Sequence, residues 1–107
     1  MAITILSKSP PLPVVGGQQG MFVQFFNCAF STTDLTGTVP VGMRKVLYRS
    51  GFAFLDDAGT DEVINYSNTN NADGSPVLGT GQTLTISRGA ISPLTGLKFG
   101  FHIYGYV

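Results

Sequence analysis

From Leu97 to Val107 the chain reads LKFGFHIYGYV, and its side chains alternate. Leu97, Phe99, Phe101, Ile103 and Val107 fall on one side, and Lys98, His102, Tyr104 and Tyr106 on the other. A period of two sends successive side chains to opposite faces of a pleat, so the segment reads as a β-strand with one face made for a core. Such a strand must be paired, because an unpaired apolar strand is a template for aggregation. The chain therefore has to fold around this segment, alone or together with copies of itself.

The remaining segments read the same way. No stretch carries a helical period, and 14 glycines with many β-branched residues weaken any helix. Residues 2–6, AITIL, read as a short strand. Residues 7–20, SKSPPLPVVGGQQG, read as an extended arm, since Pro10, Pro11 and Pro13 donate no ladder hydrogen bond and forbid a central strand. Leu12, Val14 and Val15 would be exposed on a plain surface loop, which favours a strap reaching a neighbouring subunit. Met21–Phe30, MFVQFFNCAF, is a strand whose phenylalanines do not keep to one face; either both faces are apolar, or a bulge shifts the phase at Phe25–Phe26.

Residues 31–42 read as a polar loop with a short edge strand. Arg44–Ser50 and Phe52–Leu55 form the next β region, with Gly51 as a bulge or bend. Residues 62–67, EVINYS, and 82–87, QTLTIS, are further strands, the latter with Leu84 and Ile86 on one face. A long polar loop over 68–81 lies between them, with Asp73–Gly74 as its turn. Six or seven short strands separated by turn signals predict an all-β fold, a small β-sandwich or barrel of jelly-roll-like or immunoglobulin-like topology. The division expected is an N-terminal strand and extended Pro/Gly-rich arm over 1–20 and a single β domain over 21–107.

Charge narrows the functional classes. Only 11% of residues are charged, against about 25% in an ordinary soluble domain, and the formal net charge is zero. A nucleic-acid partner normally requires a basic footprint, which is missing here. No apolar run approaches the length of a membrane span, and MAITILSKSPP lacks the basic start and long apolar core of a secretory signal. With so little charge to keep copies apart, the chain suits a surface largely covered by partners. Cys28 is the single cysteine, so no internal disulfide can form, and one Cys with one His (His102) does not make a structural zinc site.

The candidate chemistry is sparse. His102 has no motif that supplies a nucleophile or carboxylate beside it, and it reads as a solvated or interface imidazole. Cys28, inside an aromatic strand, reads as a buried hydrophobe rather than a reactive thiol. Asp56, Asp57, Asp61 and Glu62 cluster around a turn, without the ligand spacing of a calcium loop. Arg44, Lys45 and Arg49 are the only basic group and alternate faces; acidic turn and basic strand would suit a subunit contact. GTGQT at 79–83 and VVGGQQG at 14–20 lack the lysine and helix of a phosphate loop. The amides and hydroxyls of SNTNNADG at 67–74, with Tyr66 beside them, suit sugar binding. No catalytic residue, cofactor or metal is expected, and the chain reads as non-enzymatic.

The low charge, the Thr/Gly/Asn-rich turns, the arm SKSPPLPVVGGQQG and the strand LKFGFHIYGYV together resemble the small β-rich decoration or cement proteins of tailed-bacteriophage virions. The resemblance is loose, covers the whole chain and carries no specific motif. It implies a structural role in the virion as a homo-oligomer, often a trimer in such proteins, whose partners are its own copies and a major capsid protein or other virion protein. Leu12, Val14, Val15, Tyr104 and Tyr106 are the candidate contact residues. The alternative is a glycan- or receptor-binding module of a phage tail or other surface assembly, using the 67–81 loop.

Overall fold

The computed structural model describes residues 3–15, 20–55, 63–89 and 96–107. Their strands are β1 (Ile3–Lys8), β2 (Leu12–Pro13), β3 (Phe22–Phe30), β4 (Thr36–Pro40), β5 (Lys45–Arg49), β6 (Ala53–Phe54), β7 (Ile64–Tyr66), β8 (Thr83–Arg88) and β9 (Lys98–Tyr106). They form two antiparallel sheets and not a closed barrel. The larger sheet runs β1-β3-β9-β5, with β2 continuing the β1 edge along β3 and β6 continuing the β5 edge along β9. The smaller sheet runs β4-β8-β7.

β9 is a central strand, as its alternation demands. Leu97, Phe99, Phe101 and Ile103 are buried, while Lys98, His102, Tyr104 and Tyr106 face outward. Val107 departs from the expected inward row: it follows the last ladder residue and is exposed. β3 lies against β9 in unbroken register from Phe22↔Gly105 to Ala29↔Lys98. No bulge therefore interrupts Phe25–Phe26. Gln24, Phe26, Cys28 and Phe30 point inward, Phe25 points outward, and both faces of the strand carry apolar groups. The register shifts fall on the two edges instead, between Ile5 and Ser7 of β1 and between Val46 and Tyr48 of β5. Bulges on edge strands twist them away from pairing with other chains.

The core joins both sheets. Phe26, Cys28, Phe30, Phe99, Phe101 and Ile103 of the larger sheet pack against Val39, Ile64, Leu84 and Ile86 of the smaller one. The pairing is nested: β3 pairs with β9 in one sheet, and the next strand, β4, pairs with the preceding strand, β8, in the other.

The 7–20 segment differs from the strap expected of it. Its described residues form the outer edge of the chain's own sheet, where Leu12 pairs with Val23, Pro13 with Phe22, and the Val14 amide donates to the Met21 carbonyl. The prolines are tolerated there because an edge strand leaves half of its donors outside the ladder. Gln24, buried at the centre, fastens this edge: its Nε2 donates to the Ser9 carbonyl at 3.0 Å and its Oε1 accepts the Gly42 amide at 2.9 Å.

Candidate functional site

Two features stand apart from ordinary packing. The first is the outward face of the larger sheet. An antiparallel sheet with one wet face normally turns polar residues toward water. Here the cross-strand row Leu12↔Val23↔Tyr104↔Tyr48 runs across the whole sheet, and the next row pairs Phe25 with His102. Leu12 is 40%, Phe25 48% and Tyr48 56% exposed, so these side chains hold roughly half of their surface in water. The His102 ring lies between Phe25 and Tyr104, with centroids 5.4 and 5.5 Å away. Beside Phe25, the small residues Gly100 and Ala53 leave a groove of about 420 Å³, bounded by Asn27 and Leu55.

The second feature is a cleft of about 410 Å³ where β5 and β7 are the last strands of their sheets. Tyr66 is its centre. The phenol donates to the Ser50 carbonyl at 2.8 Å, and burial pushes its ionisation well above the ordinary tyrosine range, so it remains a neutral donor. Phe52 packs on the ring at 4.5 Å, and the Arg49 guanidinium lies over it at 4.9 Å. Arg49 Nη2 reaches Asn70 Oδ1 at 3.5 Å, the long limit of a hydrogen bond. Asn68 holds the wall in place: its Oδ1 accepts the Thr85 amide at 2.6 Å and its Nδ2 donates to the Val77 carbonyl at 2.8 Å.

Other polar groups are structural. Asp73 accepts from the Ser75 hydroxyl at 2.6 Å, from Lys45 Nζ at 2.9 Å and from the Ser75 amide at 3.0 Å, and these bonds hold its carboxyl well below the usual range. Arg88 is buried, with Nε donating to the Asp34 carbonyl, Nη2 to the Ser31 carbonyl, and its guanidinium over the Phe30 ring. Burial pushes the Cys28 thiol up to about 11, which keeps it protonated and unreactive at neutral pH. Among the described residues no three His, Cys, Asp or Glu side chains come together around a metal position.

The residues singled out in the sequence divide accordingly. Leu12 and Tyr104 meet in one row across β3; Tyr106 faces the same way at Lys45, and Arg44 lies over its ring. Val14 and Val15 sit at the tip of the first hairpin, with Val15 99% exposed. Lys45 pairs with Asp73 of the polar loop. Asp56, Asp57, Asp61 and Glu62 lie outside the described residues. Buried Arg88 and Gln24 were not anticipated, although a signal existed. Arg88 continues the inward phase of Leu84 and Ile86 by one step, and Gln24 shares that of Phe26 and Cys28. The Arg49–Tyr66 cleft had no linear signal, because β5 and β7 meet only through the packing of two sheets. The chain matches no family model, no curated protein and no solved structure.

Proposed function

We propose that the chain is a non-enzymatic structural protein of a virion that packs the outward face of its larger sheet against copies of itself and against shell proteins. The observation that carries this reading is the cluster of apolar and aromatic side chains on a face that a free domain would make polar: Leu12, Tyr48 and, in the next row, Phe25 are about half exposed, with partly buried Val23 and Tyr104 between them. Aromatic residues concentrated in the centre of a surface are the usual anchors of protein contacts. Edge-to-edge pairing is disfavoured by Pro13 of β2, by Pro10 and Pro11 just before it and by the bulges of β1 and β5, which favours the face as the contact.

The nested strand order favours a jelly-roll-like sandwich over an immunoglobulin-like one. In the immunoglobulin order the last two strands share a sheet, whereas β8 and β9 lie in different sheets here. Jelly rolls recur in viral capsid and lectin domains, and this support is by analogy of fold alone.

The test is solution mass by light scattering together with co-sedimentation on empty phage shells, for the wild type and for Phe25→Lys/Tyr48→Glu. The reading predicts a discrete wild-type oligomer that binds shells, and a folded variant that is monomeric and does not. A monomeric wild type that leaves every shell preparation bare would sink it.

The second reading, a glycan- or receptor-binding module, is favoured by the cleft around Tyr66, where a cation, two aromatic rings and amide side chains converge.

A further inference from the structure

Arg49 is an unusual cation for a chain with so few. It is half-buried at the margin between the sheets. Among the described residues the one ion pair is Lys45–Asp73, and no described carboxylate pairs with Arg49. Its guanidinium lies over the Tyr66 ring, 4.9 Å from the centroid, and reaches Asn70 Oδ1 at 3.5 Å. A guanidinium that meets a ring face through its carbon leaves N–H groups for other partners, and its planar fork matches the two oxygens of a carboxylate.

The surroundings add a second requirement. Asn68 is locked to the backbone by both ends of its amide and acts as a wall. Asn65 and Asn70 lie on the cleft lining, and the Asn70 Nδ2 amide and the exposed Asn65 side chain make no hydrogen bond among the described residues. Phe52 and Tyr66 supply the apolar side. A carboxylate flanked by hydroxyls and carried on a ring with one apolar face satisfies all of these groups at once.

We propose that this cleft is a binding site for an acidic saccharide, a uronic or sialic acid unit, whose carboxylate takes the Arg49 fork and whose hydroxyls meet Asn65 and Asn70. The proposal deepens the receptor-binding reading and rests on it. Arg49 sets the selectivity for the acid, Tyr66 and Phe52 hold the ring, and Asn68 positions the wall behind it. The outward face of the larger sheet is not used, so a protein assembled through that face could also carry the site.

The experiment is a titration followed by NMR chemical shifts of the full chain, with a galacturonate trisaccharide, sialyllactose, neutral lactose and a glutamate-terminated tripeptide as probes. Acidic sugar is expected to shift the Arg49, Asn70 and Tyr66 resonances, and lactose to bind at least about tenfold more weakly, the scale of one charge-assisted pair. Arg49→Gln should remove that preference at an unchanged melting temperature. Arg49→Lys should restore only part of it, because a point charge lacks the fork. Equal binding of lactose and the acidic sugars would overturn the carboxylate assignment while leaving a sugar-binding module. A response to the tripeptide alone would overturn the saccharide assignment, and silence toward all four probes would overturn both the site and the module.

Discussion

Gly105 sits where β9 passes closest to β5. A methyl group added there would run into the Lys45 carbonyl and the Val46 backbone, beside the β5 bulge. The glycine is thus required by a close approach of two backbones, and Gly105→Ala should destabilise the chain by about 3 kcal/mol in urea unfolding. Gly100 is the useful contrast within the same strand. A methyl there meets the Asn27 Oδ1 atom at 2.9 Å, the end of a side chain that can turn away. Gly100→Ala should cost no more than about 1 kcal/mol by the same measurement, since the neighbour yields rather than the backbone. Cys28 gives a pH test. With its thiol raised from 9.0 to about 11, the folded chain keeps a proton that the unfolded chain loses. Stability is then fully present below pH 9 and falls as pH rises toward 11, by on the order of 2 kcal/mol. Tyr66, also raised by burial, adds to the decline at higher pH. Unfolding curves for the wild type and Cys28→Ala should diverge in slope only across the window from about 9 to 11; parallel curves would show that the thiol is not linked to folding.

Among the elements, β9 and β8 were legible because each alternates strictly: Leu97, Phe99, Phe101, Ile103, Leu84 and Ile86 are all in the core. β3 was legible as a strand but ambiguous in phase, because apolar groups lie on both of its faces and only one face is core. The prolines correctly marked β2 as an edge. The exposure of Leu12 pointed to a neighbour's surface, but the nearest available ladder was the chain's own β3. Strand order and the partition into two sheets were not legible, since they depend on pairings between distant segments that leave no local pattern. The polar loop after β7 was legible from Asp73–Gly74, and Gly74 does occupy the left-handed region at φ 88°. Its closure rests on Asp73, which ties Ser75 and Lys45 together. Asp73→Ala should accelerate hydrogen exchange at the Ser75 amide while leaving the β8–β4 ladder protected. Because the bonds to Asp73 hold its ionisation low, lowering the pH to the ordinary carboxylate range should leave that amide slow in the wild type.

For the whole molecule, the first edge is part of the fold and not an appendage. Ile3 is buried in the core, and Ser9 receives the Gln24 amide. A chain beginning at residue 21 should therefore lose cooperative thermal unfolding, whatever its oligomeric state. A truncated chain that melts as sharply as the wild type would return the segment to the role of a detachable strap. The candidate surface became readable only at this scale, because Leu12, Val23, Tyr104 and Tyr48 come from four separate stretches of sequence. The same scale gives the pairing of β3 with β9 a meaning in time. Phe22 faces Gly105, about eighty residues further along, so the central ladder is also the most distant in sequence, the arrangement that slows folding most. During synthesis β3 must wait for β9, with Phe26 and Phe30 lacking their partners Phe101 and Phe99 until β9 has left the ribosome. Until then β3 is an aromatic-rich strand without a centre to pack on, so the yield in a cell depends on what shields it until β9 arrives.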